Sequence, residues 1–166
     1  ACLMLESATH AVLRGAKIYG EVIGYGANSS GSLAASTVES EVECMKLALG
    51  ILPYDKIDLV SAHATGTQQG DATEAKAIMQ VFPHFPYVVA TKAMTGHEMW
   101  MAGASELIYA ILASRAKFIP PNINTEDYSL GLNIKRNTVS GRASEFILSN
   151  SFGLGGTNSS IVVKVQ

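Results

Sequence analysis

Short apolar runs and helically spaced apolar positions alternate along this chain, and most are separated by small-residue or glycine-bearing stretches. Residues 1–5 are apolar and read as a core strand entered in mid-course, which would make the chain a piece of something longer. Residues 6–14 read as a short helix stopped at Gly15. Residues 17–26, rich in Ile, Tyr and Val, predict a strand, and the Ser/Gly/Ala stretch 28–36 predicts a loop. Over 38–49, Val38, Val42, Met45 and Leu49 recur at helical spacing, with Gly50 just beyond. A short strand over 57–62 delivers His63 at its end, and a helix over 71–82 follows. A buried strand over 87–91 then delivers Lys92. The stretch 99–116 predicts a long helix with small residues at Ala102, Gly103, Ala104 and Ser105, and Pro120 with Pro121 opens an extended loop. Strands over 143–150 and 160–165 are joined by a glycine-rich turn. Strand, loop and helix in repeated order, with chemistry-bearing loops after strands, predict an α/β sandwich with its ligand loops on one edge.

Composition narrows this picture. With 166 residues, 48% hydrophobic and 16% charged, the chain suits one globular domain over 1–166 with a real core. A net charge of -2 leaves no electrostatic footprint for nucleic acid. No apolar run reaches the length of a membrane span, and the first residues lack the basic region and cleavage site of a signal peptide. Cys2 and Cys44 stand far apart without metal spacing. They predict idle thiols in a reducing, cytoplasmic compartment, with no metal site.

The candidate chemistry sits in three small-residue segments. One is Ser61-Ala62-His63-Ala64-Thr65-Gly66-Thr67-Gln68-Gln69-Gly70-Asp71, and the second is Ala90-Thr91-Lys92-Ala93-Met94-Thr95-Gly96-His97. The third runs from Ser149 through Phe152, Gly153, Leu154, Gly155, Gly156 and Thr157 to Ser160. Small residues around an imidazole admit backbone and substrate closely, and a neutral imidazole N–H can donate to a developing oxyanion. A lone histidine is more often structural, but here two follow matching strand ends, where sites collect. Thr65 and Thr67 can bind a polar ligand chain or cap the turn. Asp71 and Glu74 have the spacing of a capping box opening a helix, and capping is the stronger account of both. Lys92 is either a solvated charge or a cation held near a pocket. Glu106, nine residues past His97, would lie on the opposite helix face at ~100° per residue. The two can therefore approach only if His97 belongs to the loop before the helix, and otherwise Glu106 is an exposed helix residue. The glycine-rich segment lies between two strands, so a hairpin-like turn fits it better than a phosphate loop.

Together these segments resemble the C-terminal half of a β-ketoacyl-acyl-carrier-protein synthase of the elongating class I/II type, with class I the better match. The resemblance covers essentially the whole chain. It implies half of a thiolase fold, in which two βαβαβαββ units stack as αβαβα layers. It implies that His63 and His97 are the catalytic pair, with Lys92 and Glu106 beside them. By the same resemblance Thr65 and Thr67 meet the phosphopantetheine arm, and Phe152, Gly153 and Leu154 form the gate beside the nucleophile. Asp71 and Glu74 become a supporting acidic pair.

The implied reaction is decarboxylative condensation of malonyl-carrier protein with an acyl-cysteine. Its substrates ride on acyl carrier protein, no cofactor is bound, and the enzyme is typically a homodimer. The nucleophilic cysteine belongs to the family's other half. Neither Cys2 nor Cys44 lies in its context, so the chain alone is expected to be inactive. Leu154 stands where the family usually has a second phenylalanine, and Glu98-Met99-Trp100-Met101 replaces a smaller, glycine-containing stretch. Trp100 therefore either crowds the pocket or packs into the core. Two rival readings are a non-catalytic chain-length-factor-like subunit and a free-standing binding module.

Overall fold

The computed structural model describes residues 1–32, 35–125 and 130–166. The predicted loops over 28–36 and after Pro121 lie partly outside these residues. Helix α1 spans Ala8–Leu13, capped by the Ser7 hydroxyl on the His10 N–H. Strand β1 spans Gly20–Ser29, helix α2 Val38–Leu49, strand β2 Leu59–Ser61 and helix α3 Gln68–Val81. Strand β3 covers Tyr87–Val89, the one-turn helix α4 Lys92–Thr95 and helix α5 Ala102–Arg115. Two short strands, β4 at Phe118–Ile119 and β5 at Val139–Ser140, pair with each other. The chain closes with β6 at Phe146–Phe152 and β7 at Thr157–Val165.

The main sheet has the order β1-β7-β6-β2-β3. β2 runs parallel to both β3 and β6, while β7 is antiparallel to β6 and β1. Side chains alternate across it, so β2, β3, β6 and β7 each feed two cores. Val60, Leu148 and Val162 meet α2 and α3, through residues such as Met45, Ala48 and Ile78. Leu59, Ile147 and Val163 meet α5 on the opposite face, through Leu107, Ala110 and Ile111. Helix–sheet–helix layering follows, and the main-sheet strands with α2, α3 and α5 run in βαβαβαββ order. No helix among the described residues is long and apolar enough to cross a membrane.

Local chemistry sets the ends of α2. Thr37 and Ser40 form a reciprocal capping box, and Gly50 ends the helix at φ 55. β1 then lies against α2 so closely that a Cβ on Gly24 would sit 1.9 Å from the Ala48 carbonyl oxygen. One on Gly26 would sit 2.4 Å from that of Cys44. The glycines of β1 are therefore the condition for this contact.

Several expectations need correction. Residues 1–5 form no strand, because no neighbouring strand offers them a ladder, and Leu3, Met4 and Leu5 are exposed. α3 starts at Gln68, three residues before the predicted start, so Asp71 lies inside the helix. The predicted helix over 99–116 opens with a 3-10 turn at Met99–Met101 and continues as α5. β1 and β7 extend further toward their shared loop end than apolar content alone indicated, since ladder bonds carry them through Asn, Ser and Thr.

Gly24→Ala should destabilise the complete protein by about 1–3 kcal/mol, because backbone rather than a flexible side chain must yield. Chemical denaturation measures it, and an unchanged midpoint with unchanged slope would contradict the close packing.

Candidate active site

Parallel neighbours end at the same edge of a sheet, and three site segments leave there. His63 lies two residues beyond β2, Lys92 three beyond β3, and Phe152 ends β6. The backbone N–H groups of His63 and Ala64 donate to the two carboxylate oxygens of Glu74, at 2.9 and 2.8 Å. Asn150 of β6 donates its amide to the same carboxylate at 3.1 Å. Glu74 is 4% exposed, and burial raises its pKa against these three donors and Lys92. The Asp71 carboxylate accepts the Gly66 N–H at 3.1 Å. Both acids thus reach back to brace the histidine loop. Neither caps α3, whose N-cap Thr67 makes no side-chain capping bond. The hydroxyls of Thr65 and Thr67 lie 3.2 Å apart on the surface.

Lys92 is 8% exposed and bonds the carbonyl of His63 and a carboxylate oxygen of Glu106. Its Nζ also lies 3.4 Å from Nδ1 of His63. The Lys92–Glu106 pair is almost wholly buried, which makes Glu106 neither an exposed helix residue nor a partner of His97. Burial, Lys92 and His97, in that order, lower the pKa of His63 to about 4. The ring is therefore neutral near pH 7, with Nδ1 facing an ammonium and Nε2 carrying the proton.

His97 occupies the loop after Gly96, which ends α4 at φ 77. The Met99 N–H donates to its Nδ1 at 3.0 Å, leaving Nε2 to carry its proton. The two rings meet edge to face, with centroids 5.6 Å apart, and neither Nε2 has a partner among the described residues. This geometry can present two N–H donors to one oxygen. The Phe152 ring lies 6.5 Å from His63. The turn beyond it, Leu154–Gly156, is kinked at Gly155 with φ 80 and joins a true hairpin. Leu154 is 90% exposed and Trp100 99%, so Trp100 does not pack into the core.

Sequence reading gave Asn150 no role. It shares a β6 face with Leu148 and Phe152, so a polar residue in an apolar register was the available signal. Among the described residues, no three His, Cys, Asp or Glu side chains are placed to hold a metal ion.

Residues 19–126 match the β-ketoacyl synthase C-terminal domain. The chain is 42% identical to 3-oxoacyl-[acyl-carrier-protein] synthase 1 of Escherichia coli (strain K12), over 98% of this chain and 41% of that protein. It is 41% identical to the enzyme of the same name from Haemophilus influenzae, over 99% and 41%. A β-ketoacyl synthase from Burkholderia phymatum STM815 superposes with TM-score 0.92 at 30% identity, covering 97% of this chain and 41% of that one. The ishigamide ketosynthase/chain length factor superposes with TM-score 0.90 at 34% identity, over the same shares. The fold is thiolase-like, and the chain spans about two fifths of these relatives.

Lys92→Ala should destabilise the complete protein by about 3–5 kcal/mol, because it strands the buried Glu106 carboxyl; a variant replacing both residues by apolar ones should recover much of this loss in denaturation midpoints. His63 takes its proton near pH 4 when folded and near its ordinary value of about 6.5 when unfolded. The unfolded chain thus binds more protons between those values, and this contribution to stability is lost as pH falls through the window. Imidazole NMR should show His63 neutral down to about pH 5, and titration at the ordinary value would contradict the site.

Proposed function

The chain belongs to the β-ketoacyl synthase C-terminal domain family, and from that premise we propose that it supplies the histidine half of a 3-oxoacyl-acyl-carrier-protein synthase. The reaction is decarboxylative condensation in fatty acid or polyketide-like chain elongation. The carrying observation is the His63–His97 pair, with each Nδ1 engaged and each Nε2 unpartnered among the described residues. A cysteine of the other half holds the acyl group as a thioester. The thioester oxygen of malonyl-carrier protein accepts hydrogen bonds from both Nε2–H groups. As the bond to the carboxylate breaks and carbon dioxide leaves, its electron pair forms the enolate, whose negative oxygen the two donors stabilise. The enolate carbon attacks the acyl carbonyl and the cysteine thiolate departs. Lys92 positions His63 from the Nδ1 side, and Glu106 holds Lys92.

Thr65 and Thr67, unspent on capping, suit the phosphopantetheine arm that carries the substrate. Acyl carrier protein is the partner, no cofactor is required, and the proposed assembly is a cytoplasmic homodimer. The two free cysteines suit a reducing compartment. The similarity to a ketosynthase/chain length factor keeps a second reading, a non-catalytic partner subunit.

In the complete protein, His63→Ala and His97→Ala should each slow condensation by about 10²–10³-fold while sparing acyl transfer to cysteine. Radiolabelled acyl loading and carbon dioxide release separate the steps. Equal loss of both steps refutes the assigned role, and a wild-type protein that neither loads nor condenses favours the partner subunit. Trp100→Gly and Leu154→Phe should shift the preferred acyl length in a competition series of acyl-carrier proteins, because a bulkier wall excludes longer chains at roughly 1–3 kcal/mol. Identical profiles would place neither residue on the acyl path.

A further inference from the structure

One buried acid takes no part in the site. Glu41 lies one turn into α2 and is 2% exposed. One oxygen of its carboxyl pairs with the Ser36 hydroxyl, while the other is buried and meets no donor among the described residues. The titratable groups facing it are Cys44, one turn further along α2, and Glu74 of α3. β6 carries no ionisable residue, and those of β1 and β7 are elsewhere occupied: Glu21 and Tyr25 are exposed, and Lys164 pairs with Glu145. Burial first, and then the Glu74 carboxyl, push its pKa up to about 7 against the pull of Ser36.

Ser36 belongs to a segment seated on the glycine-rich turn. The Ser30 hydroxyl donates to the carbonyl of Ala35 at 3.1 Å and accepts the Ser32 N–H at 3.2 Å. The Ser30 N–H donates to the Gly156 carbonyl at 2.8 Å. A Cβ on Gly156 would lie 2.0 Å from the Ser30 hydroxyl and 2.8 Å from the Ser32 carbonyl oxygen, so the two segments fit without slack. A continuous path thus runs from Glu41 through Ser36, Ala35, Ser30 and Gly156 to the turn after Phe152.

We propose that Glu41 is a positioning residue whose neutral acid anchors residues 30–32 and 35–36 against the glycine-rich turn, and whose ionisation loosens both. In the neutral state the Ser36 hydroxyl donates to the carbonyl oxygen of the acid, and the oxygen left over is an uncharged hydroxyl. In the ionised state a buried carboxylate has a single donor and a second acid nearby. Such a charge is solvated most cheaply by admitting water where the Ser36 segment covers it. The consequence for acyl entry rests on the reading of this turn as the gate beside the nucleophile; the anchor itself does not.

The test follows hydrogen exchange at the Ser30 amide in the complete protein, corrected for intrinsic rate. If only the ionised form opens, protection should fall about tenfold between pH 6 and pH 8 and level off above that. Glu41→Gln should abolish this step, and Ser36→Ala should lower protection throughout while shrinking the step. Protection without a step in the wild type, or an unchanged step in Glu41→Gln, overturns the proposal. Should Glu41→Gln fail to fold, a step of unchanged size and midpoint in Ser36→Ala overturns it. Acyl loading measured over the same pH range reports on the gate separately. A protein that shows the exchange step but never loads or condenses sinks the catalytic reading alone. One that condenses without the step sinks the anchor alone.

Discussion

The Glu74 carboxylate is the tie on which the site depends. It collects the N–H groups of His63 and Ala64 from the β2 loop and the amide of Asn150 from β6, while itself standing on α3. Three elements of different sequence position are thereby fixed at one buried point. Charge-assisted hydrogen bonds of this kind are short and strong, and in a buried setting no water competes for them. Without this tie the β2 loop would have no internal reason to hold His63 at the sheet edge. Asp71 repeats the device one turn earlier on α3, bracing Gly66. The histidine loop is thus held from the helix that follows it, while its threonine hydroxyls meet only each other at the surface among the described residues.

The electrostatics then divide labour between two buried systems. Lys92 faces one ring nitrogen of His63 and is itself matched by Glu106, so a cation beside a neutral imidazole is sustained in a nearly dry place. The cation works against protonation of His63, as does its burial. With Nδ1 facing that cation, the proton of the neutral ring sits on Nε2. The His97 ring is oriented by another route, a backbone N–H on Nδ1. One histidine is held by a charged side chain and the other by backbone geometry.

Much of this was legible because the chemistry sits where periodicity ends. The runs before His63 and Lys92 are apolar in strand rhythm, and both strands exist. The spacing of Val38, Val42, Met45 and Leu49 located α2 correctly, although its most buried apolar residues are Cys44, Met45, Ala48 and Leu49, slightly rotated from that stripe. Asp71 and Glu74 were misread for a specific reason. Their spacing satisfies a capping box, and local pattern cannot reveal that α3 begins at Gln68 and sends both acids backward. The Lys92–Glu106 pair was equally out of reach as a contact, since fourteen residues and a change of direction separate its members. Residues 1–5 failed for the opposite reason, since an apolar run makes a strand only when a ladder partner exists. Glu41 and Asn150 did leave a signal, each being polar within an apolar face, a departure that in a folded chain demands a partner.

Of the five non-glycine residues with positive φ among the described residues, two adjoin the histidines. Ala64, directly after His63, has φ 31, and Met99, two residues after His97, has φ 52. Neither residue type favours this region, and strain of this kind persists only where surrounding bonds over-determine it. Here the bonds are identifiable. The Ala64 N–H is held by Glu74, and the Met99 N–H is held by the ring of His97. In both cases the amide that stores the strain also fixes the adjoining histidine, so relaxing the backbone would release the imidazole. This coupling explains why a loop of alanine, glycine and threonine can position a ring without packing around it. Rigidity comes from a few directed hydrogen bonds, and the small side chains leave the space in front of the two Nε2 atoms uncrowded.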